Sequence, residues 1–123
     1  MLFRSNNNCY FRGSTNFPLI KGNLYIGGNG TGNVAFLNQN YNATPVLVQG
    51  NVFIKAGSSI QNNGTGFEIQ GNLTNDGTIS YVPYPSKLIF SGGTAQTISG
   101  AGAISASTFQ VNKTANEIGR AHV

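Results

Sequence analysis

Carboxylates, imidazoles and thiols carry most acid–base, nucleophilic and metal chemistry, and this 123-residue chain holds few of them. Its acids are Glu68, Asp76 and Glu117, its only histidine is His122 and its only cysteine is Cys9. Glycoside hydrolysis needs two carboxyls facing each other across the scissile bond, and a calcium-assisted lyase needs several oxygen ligands, acids among them. Glu68 and Asp76 stand eight residues apart with a Gly-Asn pair between them, which predicts an outward strand position for Glu68 and a turn position for Asp76 in Asn75-Asp76-Gly77. A single thiol forms no disulfide framework within the chain and does not fix the compartment. The expectation is a chain that is not an enzyme, with no catalytic residue, no metal site and no cofactor.

Other groups invite a binding reading. Gly30-Thr31-Gly32-Asn33-Val34-Ala35 fits the G-x-G-x-x-A form of a dinucleotide fingerprint. That motif works because a helix N-terminus receives the pyrophosphate, and Phe36 to Pro45 has no helical pattern, so a plain turn is expected. Five Asn-x-Thr triplets, at Asn29, Asn42, Asn63, Asn72 and Asn112, follow from a composition rich in Asn and Thr. Tyr81-Val82-Pro83-Tyr84-Pro85-Ser86-Lys87 is the most distinctive loop. Its prolines exclude a central strand, and Tyr81 and Tyr84 make it the candidate contact loop for a sugar or peptide. The net charge of +4 comes from seven scattered Lys and Arg residues, which argues against nucleic acid as a partner. No apolar run reaches the roughly 20 residues of a membrane helix, and Met1 to Asn8 lacks the basic start and apolar centre of a signal peptide.

The elements that would position these groups are set by a repeat. Leu19-Ile20-Lys21-Gly22-Asn23-Leu24 returns as Leu47-Val48-Gln49-Gly50-Asn51-Val52 and as Glu68-Ile69-Gln70-Gly71-Asn72-Leu73, with a looser copy at Ile89-Phe90-Ser91-Gly92-Gly93-Thr94. The glycines Gly22, Gly50, Gly71 and Gly92 are 28, 21 and 21 residues apart, a period that marks a solenoid or array. Two residues before each glycine stand Ile20, Val48, Ile69 and Phe90; two after stand Leu24, Val52, Leu73 and Thr94; four before stand Pro18, Val46, Phe67 and Leu88. This period-2 alternation is that of strands with one face in a core, to which Ile79 of the following element is added. The position three before the glycine, Leu19, Leu47 and Ile89 interrupted by Glu68, forms an apolar outward stripe.

Gly22, Asn23, Gly50, Asn51, Gly71, Asn72 and Gly92 are accordingly expected at corners, because glycine tolerates positive φ and asparagine the left-handed region. A second glycine-led element follows each corner, at Gly32, Gly57, Gly77 and Gly102. A β-sandwich would not reuse one corner, whereas coils of a β-helix stack it, placing Asn23, Asn51 and Asn72 about 4.8 Å apart in a side-chain ladder that Gly93 ends. The expected fold is all-β, a right-handed parallel β-helix of about four to five coils. Residues 1–17 are read as an irregular lead-in coil, 18–116 as solenoid repeats and 117–123 as a non-native tail. The longer first step suggests a loop bulging between Gly27 and Pro45.

Gly71 to Ser80, Leu88 to Ser105 and Phe109 to Thr114 resemble the repeats of large bacterial surface proteins, the adhesin-like and autotransporter-like β-solenoids. Glu117-Ile118-Gly119-Arg120-Ala121-His122-Val123 resembles a translated sequencing adapter, which implies a natural sequence that ends near Asn116 and belongs to a longer reading frame. The surface-protein resemblance implies secretion or display at the cell surface, neighbouring coils of a parent chain as partners, and extracellular glycan or a host or matrix surface as candidate contacts. The expected role is a stiff structural or adhesion segment. Two alternatives are a non-catalytic piece of a carbohydrate-active β-helix enzyme and a phage tail-fibre shaft.

Overall fold

A computed structural model describes residues 2–3, 9–12, 19–27, 33–39, 44–81 and 86–113. Those residues form fifteen short strands and no helix: β1 (Leu2–Phe3), β2 (Cys9–Arg12), β3 (Leu19–Ile20), β4 (Leu24–Ile26), β5 (Ala35–Gln39), β6 (Val46–Val48), β7 (Val52–Ile54), β8 (Ser59–Asn62), β9 (Gly66–Ile69), β10 (Leu73–Asn75), β11 (Thr78–Tyr81), β12 (Lys87–Gly92), β13 (Ile98–Ser99), β14 (Ala103–Ile104) and β15 (Thr108–Lys113). Every third strand belongs to the same sheet. Sheet A is ordered β1-β4-β7-β10-β13, sheet B β2-β5-β8-β11-β14 and sheet C β3-β6-β9-β12-β15. Strands pair in parallel throughout. The chain therefore winds as a parallel β-solenoid, each coil adding one strand to each of three sheets.

Alternation turns this path into a core. β4 reads buried-exposed-buried, and β6, β7 and β10 repeat the same inward positions. Register stacks like on like: Leu24 pairs with Val52 and Val52 with Leu73, while Val48 pairs with Ile69 and Ile69 with Phe90. Ile20, Leu24, Val48, Val52, Phe67, Ile69, Leu73, Ile79, Leu88 and Phe90 are all buried in one apolar cluster, together with Ile26, Val34, Phe36, Val46, Ile54 and Ile60. Phe36 of sheet B meets Phe67 of sheet C across the interior, ring centroids 5.7 Å apart and tilted by 55°. Each such side chain contributes about 1.5–3 kcal/mol through burial, but only where a coil lies above and below it.

The coil count and two local readings differ from the sequence-based expectation. About three turns, β4–β6, β7–β9 and β10–β12, have a coil on both sides, and the trios β1–β3 and β13–β15 form the end rungs. Within residues 1–17 the described Leu2–Phe3 and Cys9–Arg12 are strands, β1 pairing with β4 and β2 with β5, and they give the first rung two of its three strands. No Gly-Asn corner precedes these strands, which is why the pattern did not reveal them. Gly92 differs from the other three corner glycines. It is the last residue of β12, paired with Lys113, and it holds a left-handed φ of 95° before the chain bends. The coil step from Leu73 to Ile98 is 25 residues instead of the 21 from Val52 to Leu73. Extra residues between Gly92 and Thr97 carry the next corner four positions further on. The fingerprint residues Gly30 to Gly32 and Tyr84 lie outside the described residues, as do residues 117–123 and much of the expected bulge. Asn33 and Val34 lead into β5, a strand with no helix N-terminus to receive a phosphate.

Candidate functional site: the stacked corners and the outer faces

Three edges run along the solenoid where one sheet hands the chain to the next, and polar side chains are ordered there. At the edge between sheets C and A, each asparagine holds the backbone of the next. Asn23 Oδ1 accepts from the Asn51 amide at 2.7 Å, Asn51 Oδ1 from the Asn72 amide at 2.7 Å, and Asn72 Oδ1 from the Thr97 amide at 2.9 Å. The ladder thus links side chain to main chain, where amide-to-amide contacts were expected. It runs on past Gly93 to Thr97, which takes the fourth asparagine's place as donor.

The glycine before each asparagine has a cause other than φ. Gly22, Gly50 and Gly71 do not have positive φ, which among the described residues is held by Gly27, Gly57, Gly66, Gly92 and Gly100. A Cβ on Gly50 would collide with Asn23 Oδ1 and lie 2.6 Å from the Gly22 carbonyl carbon; one on Gly71 would lie 2.5 Å from Asn51 Oδ1. Nothing lies within 4 Å of such an atom on Gly22. Close stacking selects the glycine from the second corner onward.

Fourth-coil geometry is rescued by one side chain that the sequence pattern did not single out. In the lower coils the carbonyls of Ile20 and Gly22 accept from the amides of Gln49 and Gly50, and those of Val48 and Gly50 from Gln70 and Gly71. At the next level a side chain provides donors to the two equivalent carbonyls. Gln96, only 5% exposed, supplies both from its Nε2, at 2.9 Å to the Ile69 carbonyl and 2.5 Å to that of Gly71. Its Oε1 accepts from Lys113 Nζ, which also donates to the Thr94 carbonyl at 2.7 Å and to that of Ser91 at 3.4 Å.

Between sheets B and C the ladder is fully internal. Asn38 Nδ2 donates to Asn62 Oδ1 at 2.7 Å and to the Gly66 carbonyl at 3.2 Å, and Asn62 Nδ2 donates to the Lys87 carbonyl at 3.3 Å. Ser86 Oγ closes the same turn on the Asn62 and Gly64 carbonyls. Burial without a partner would cost each amide a few kcal/mol, so these bonds are what permits asparagine at 0% and 3% exposure. The legible signal was the equal position of the two residues in Phe36-Leu37-Asn38 and Ile60-Gln61-Asn62, two places after a core residue. Between sheets A and B, Ser58 Oγ accepts from the Val34 amide and Asn75 Oδ1 from that of Gly77.

Glu68 and Asp76, the acids among the described residues, are not brought together. Glu68 lies in β9 on the outer side of sheet C, between Leu47 and Ile89 in register. Asp76 is an exposed turn residue beyond sheet A, its Oδ1 accepting from the Ala101 amide at 3.2 Å. Sheet A's strand β10 separates them along the coil. No group of three or more His, Cys, Asp or Glu side chains assembles among the described residues. Among those residues no helix is long and apolar enough to cross a membrane.

On the outer faces, the stripe Leu19, Leu47, Glu68 and Ile89 grades from exposed at Leu19 to buried at Ile89. Tyr81, at the end of β11, is 40% exposed. On sheet A, Tyr25 stacks on Phe53 with ring centroids 4.8 Å apart and planes within 8°. That stack matches the rung spacing and spends one face of each ring on its neighbour, so the pair presents ring edges outward. Hydroxyls continue the column, with Ser99 Oγ donating to Thr74 Oγ1 at 3.4 Å. No protein-family model, curated protein or solved structure matches this chain.

Proposed function

We propose that this chain is a structural segment of a secreted or cell-surface protein, a stiff shaft that holds binding elements away from a surface and does no catalysis itself. The observation that carries the reading is the side chain-to-backbone ladder from Asn23 to Thr97 alongside an unbroken stacked core. Bending the stack would have to stretch three parallel sheets and these ladders together. The separated positions of Glu68 and Asp76 support the non-catalytic part of the proposal. The surface-protein resemblance of the repeats supports the location. Contacts with extracellular glycan or matrix belong to the same proposal, with Tyr81 as the exposed aromatic that would make them.

Pulling a single molecule along the stack, with handles in the first and last rungs, tests the mechanical part. The expected trace resists extension and then lengthens in coil-sized steps of about 21 to 28 residues, because stability resides in coil-to-coil interfaces. Smooth lengthening like that of an unfolded chain would contradict the proposal.

A further inference from the structure

The ladder at the edge between sheets C and A leaves a chemical remainder on its outer side. A backbone N–H bonds to an oxygen, so the amides of Asn51, Asn72 and Thr97 fix how the asparagine side chains are turned: Oδ1 of Asn23, Asn51 and Asn72 faces the next coil. Their nitrogens are left over. Asn23 Nδ2 donates to Tyr25 Oη at 3.2 Å, and a hydroxyl that accepts still has its own hydrogen to give. Asn51 and Asn72 Nδ2 meet no acceptor among the described residues, where the buried side-chain atoms without a partner are Asn63 Oδ1 and Ser91 Oγ. Both nitrogens therefore reach water. Three successive coils thus present one outward donor each, Tyr25 Oη, Asn51 Nδ2 and Asn72 Nδ2, in a column that advances by about 4.8 Å per rung.

The surroundings carry the same sign. Tyr25 and Phe53, stacked with centroids 4.8 Å apart, turn their ring edges outward, and the edge is the positive part of an aromatic quadrupole. The motif positions beside the column, residues 21–24, 49–52 and 70–73, contain Lys21 and no acid. Of the two described acids, Asp76 accepts from the Ala101 amide past the far end of β10, and Glu68 lies on the outer side of sheet C. The column is rich in donors and poor in acceptors, so it fits a polymer of acceptors with a matching repeat. Nucleic acid would call for clustered cations, which the chain lacks. An unbranched polyuronate meets the requirement, since each sugar carries a carboxylate and an extended pyranose chain advances by close to one rung per sugar.

We propose that the edge formed by Tyr25, Asn51 and Asn72 binds a linear polyuronate laid along the solenoid axis, whose carboxylate, ring and hydroxyl oxygens accept from the three donors. This rests on the glycan contact proposed above; it names the class of glycan and gives it a place apart from Tyr81. Hydrogen bonds from N–H to a carboxylate are charge-assisted, and a donor on every coil lets weak contacts add along the polymer.

Calorimetric titration of the full chain with polygalacturonate tests this, with an unsubstituted β-1,4-glucan oligosaccharide as the neutral control. Saturable binding of the first and none of the second is expected. Asn72→Asp keeps an oxygen for the Thr97 amide but replaces the outward donor by a second acceptor, and should weaken binding about tenfold or more while the Thr97 amide stays protected from hydrogen exchange. Gln61→Glu makes the same change in charge on the outer side of sheet B and should leave binding nearly unaltered. Tyr25→Phe, which keeps the ring stack and removes only the hydroxyl, should weaken binding severalfold. No binding by the folded chain, equal binding of the neutral glucan, or equal losses in Asn72→Asp and Gln61→Glu would overturn the proposal. Loss in Tyr81→Ala alone would overturn the donor column and leave a glycan contact at Tyr81 standing. Pulling reads the shaft independently of any glycan, so failure of the column and failure of the shaft are separately visible.

Discussion

Gly22 and Gly50 occupy the same place in the same six-residue motif, and the structure gives them different tasks. An added methyl on Gly22 meets open space at a φ that is not left-handed, and replacing glycine there removes freedom from the unfolded chain. Gly22→Ala should therefore be neutral or stabilise by about 0.4–1 kcal/mol. The same change at Gly50 drives a methyl into Asn23 Oδ1 and the Gly22 carbonyl, with overpacking costs of about 1–3 kcal/mol. Denaturant titration of the two variants checks this, and equal costs would mean that the motif acts through φ after all. The repeat made both glycines legible. Their different reasons were not, because crowding depends on which coil lies beneath.

Elements show the same division between pattern and placement. Strands β3, β4, β6, β7, β9 and β10 follow from alternation around Gly-Asn, and the buried inward positions are those the alternation marks. Strands β1 and β2 of the first rung escaped because polar residues and an unrelated spacing surround them. The fourth corner was displaced because Gly92-Gly93 mimics the motif locally while Gln96 and Thr97 fulfil its hydrogen bonds. Sequence similarity could not find Gln96, whose side chain donates to two backbone carbonyls of the coil below. Gln96→Leu keeps the bulk but removes the buried amide's donations to the Ile69 and Gly71 carbonyls, which should cost about 1–3 kcal/mol. Stability loss of that size, read by denaturant titration, is expected; a change under about 0.5 kcal/mol would show that water replaces the amide at little cost.

At the scale of the whole molecule, burial and hydrogen bonding are both properties of neighbouring coils. Leu24, Val52 and Leu73 reach 0% exposure only as a column, and the corner amides find acceptors only one coil away. That logic explains why one fold accommodates coil steps of 28, 21 and 25 residues: extra residues leave at corners while the strand register stays fixed. It also explains why role was less legible than architecture. Repeated residues specify a stack, and a stack's chemistry is spent on holding itself together.

Amide hydrogen exchange at the corner tests that account most directly. The amides of Asn51 and Asn72 lie between strands on the solenoid's edge, where a loop amide would exchange quickly, yet each donates to the preceding asparagine at 2.7 Å. Both should be protected in the native chain. Asn51→Ala should release the Asn72 amide and leave that of residue 51 protected by Asn23, while Asn51→Asp, which keeps an acceptor, should protect both. Exchange of Asn51 and Asn72 at unprotected rates in the native chain, or loss of both protections together in Asn51→Ala with the sheets intact, would contradict a shaft built on a coil-to-coil asparagine ladder.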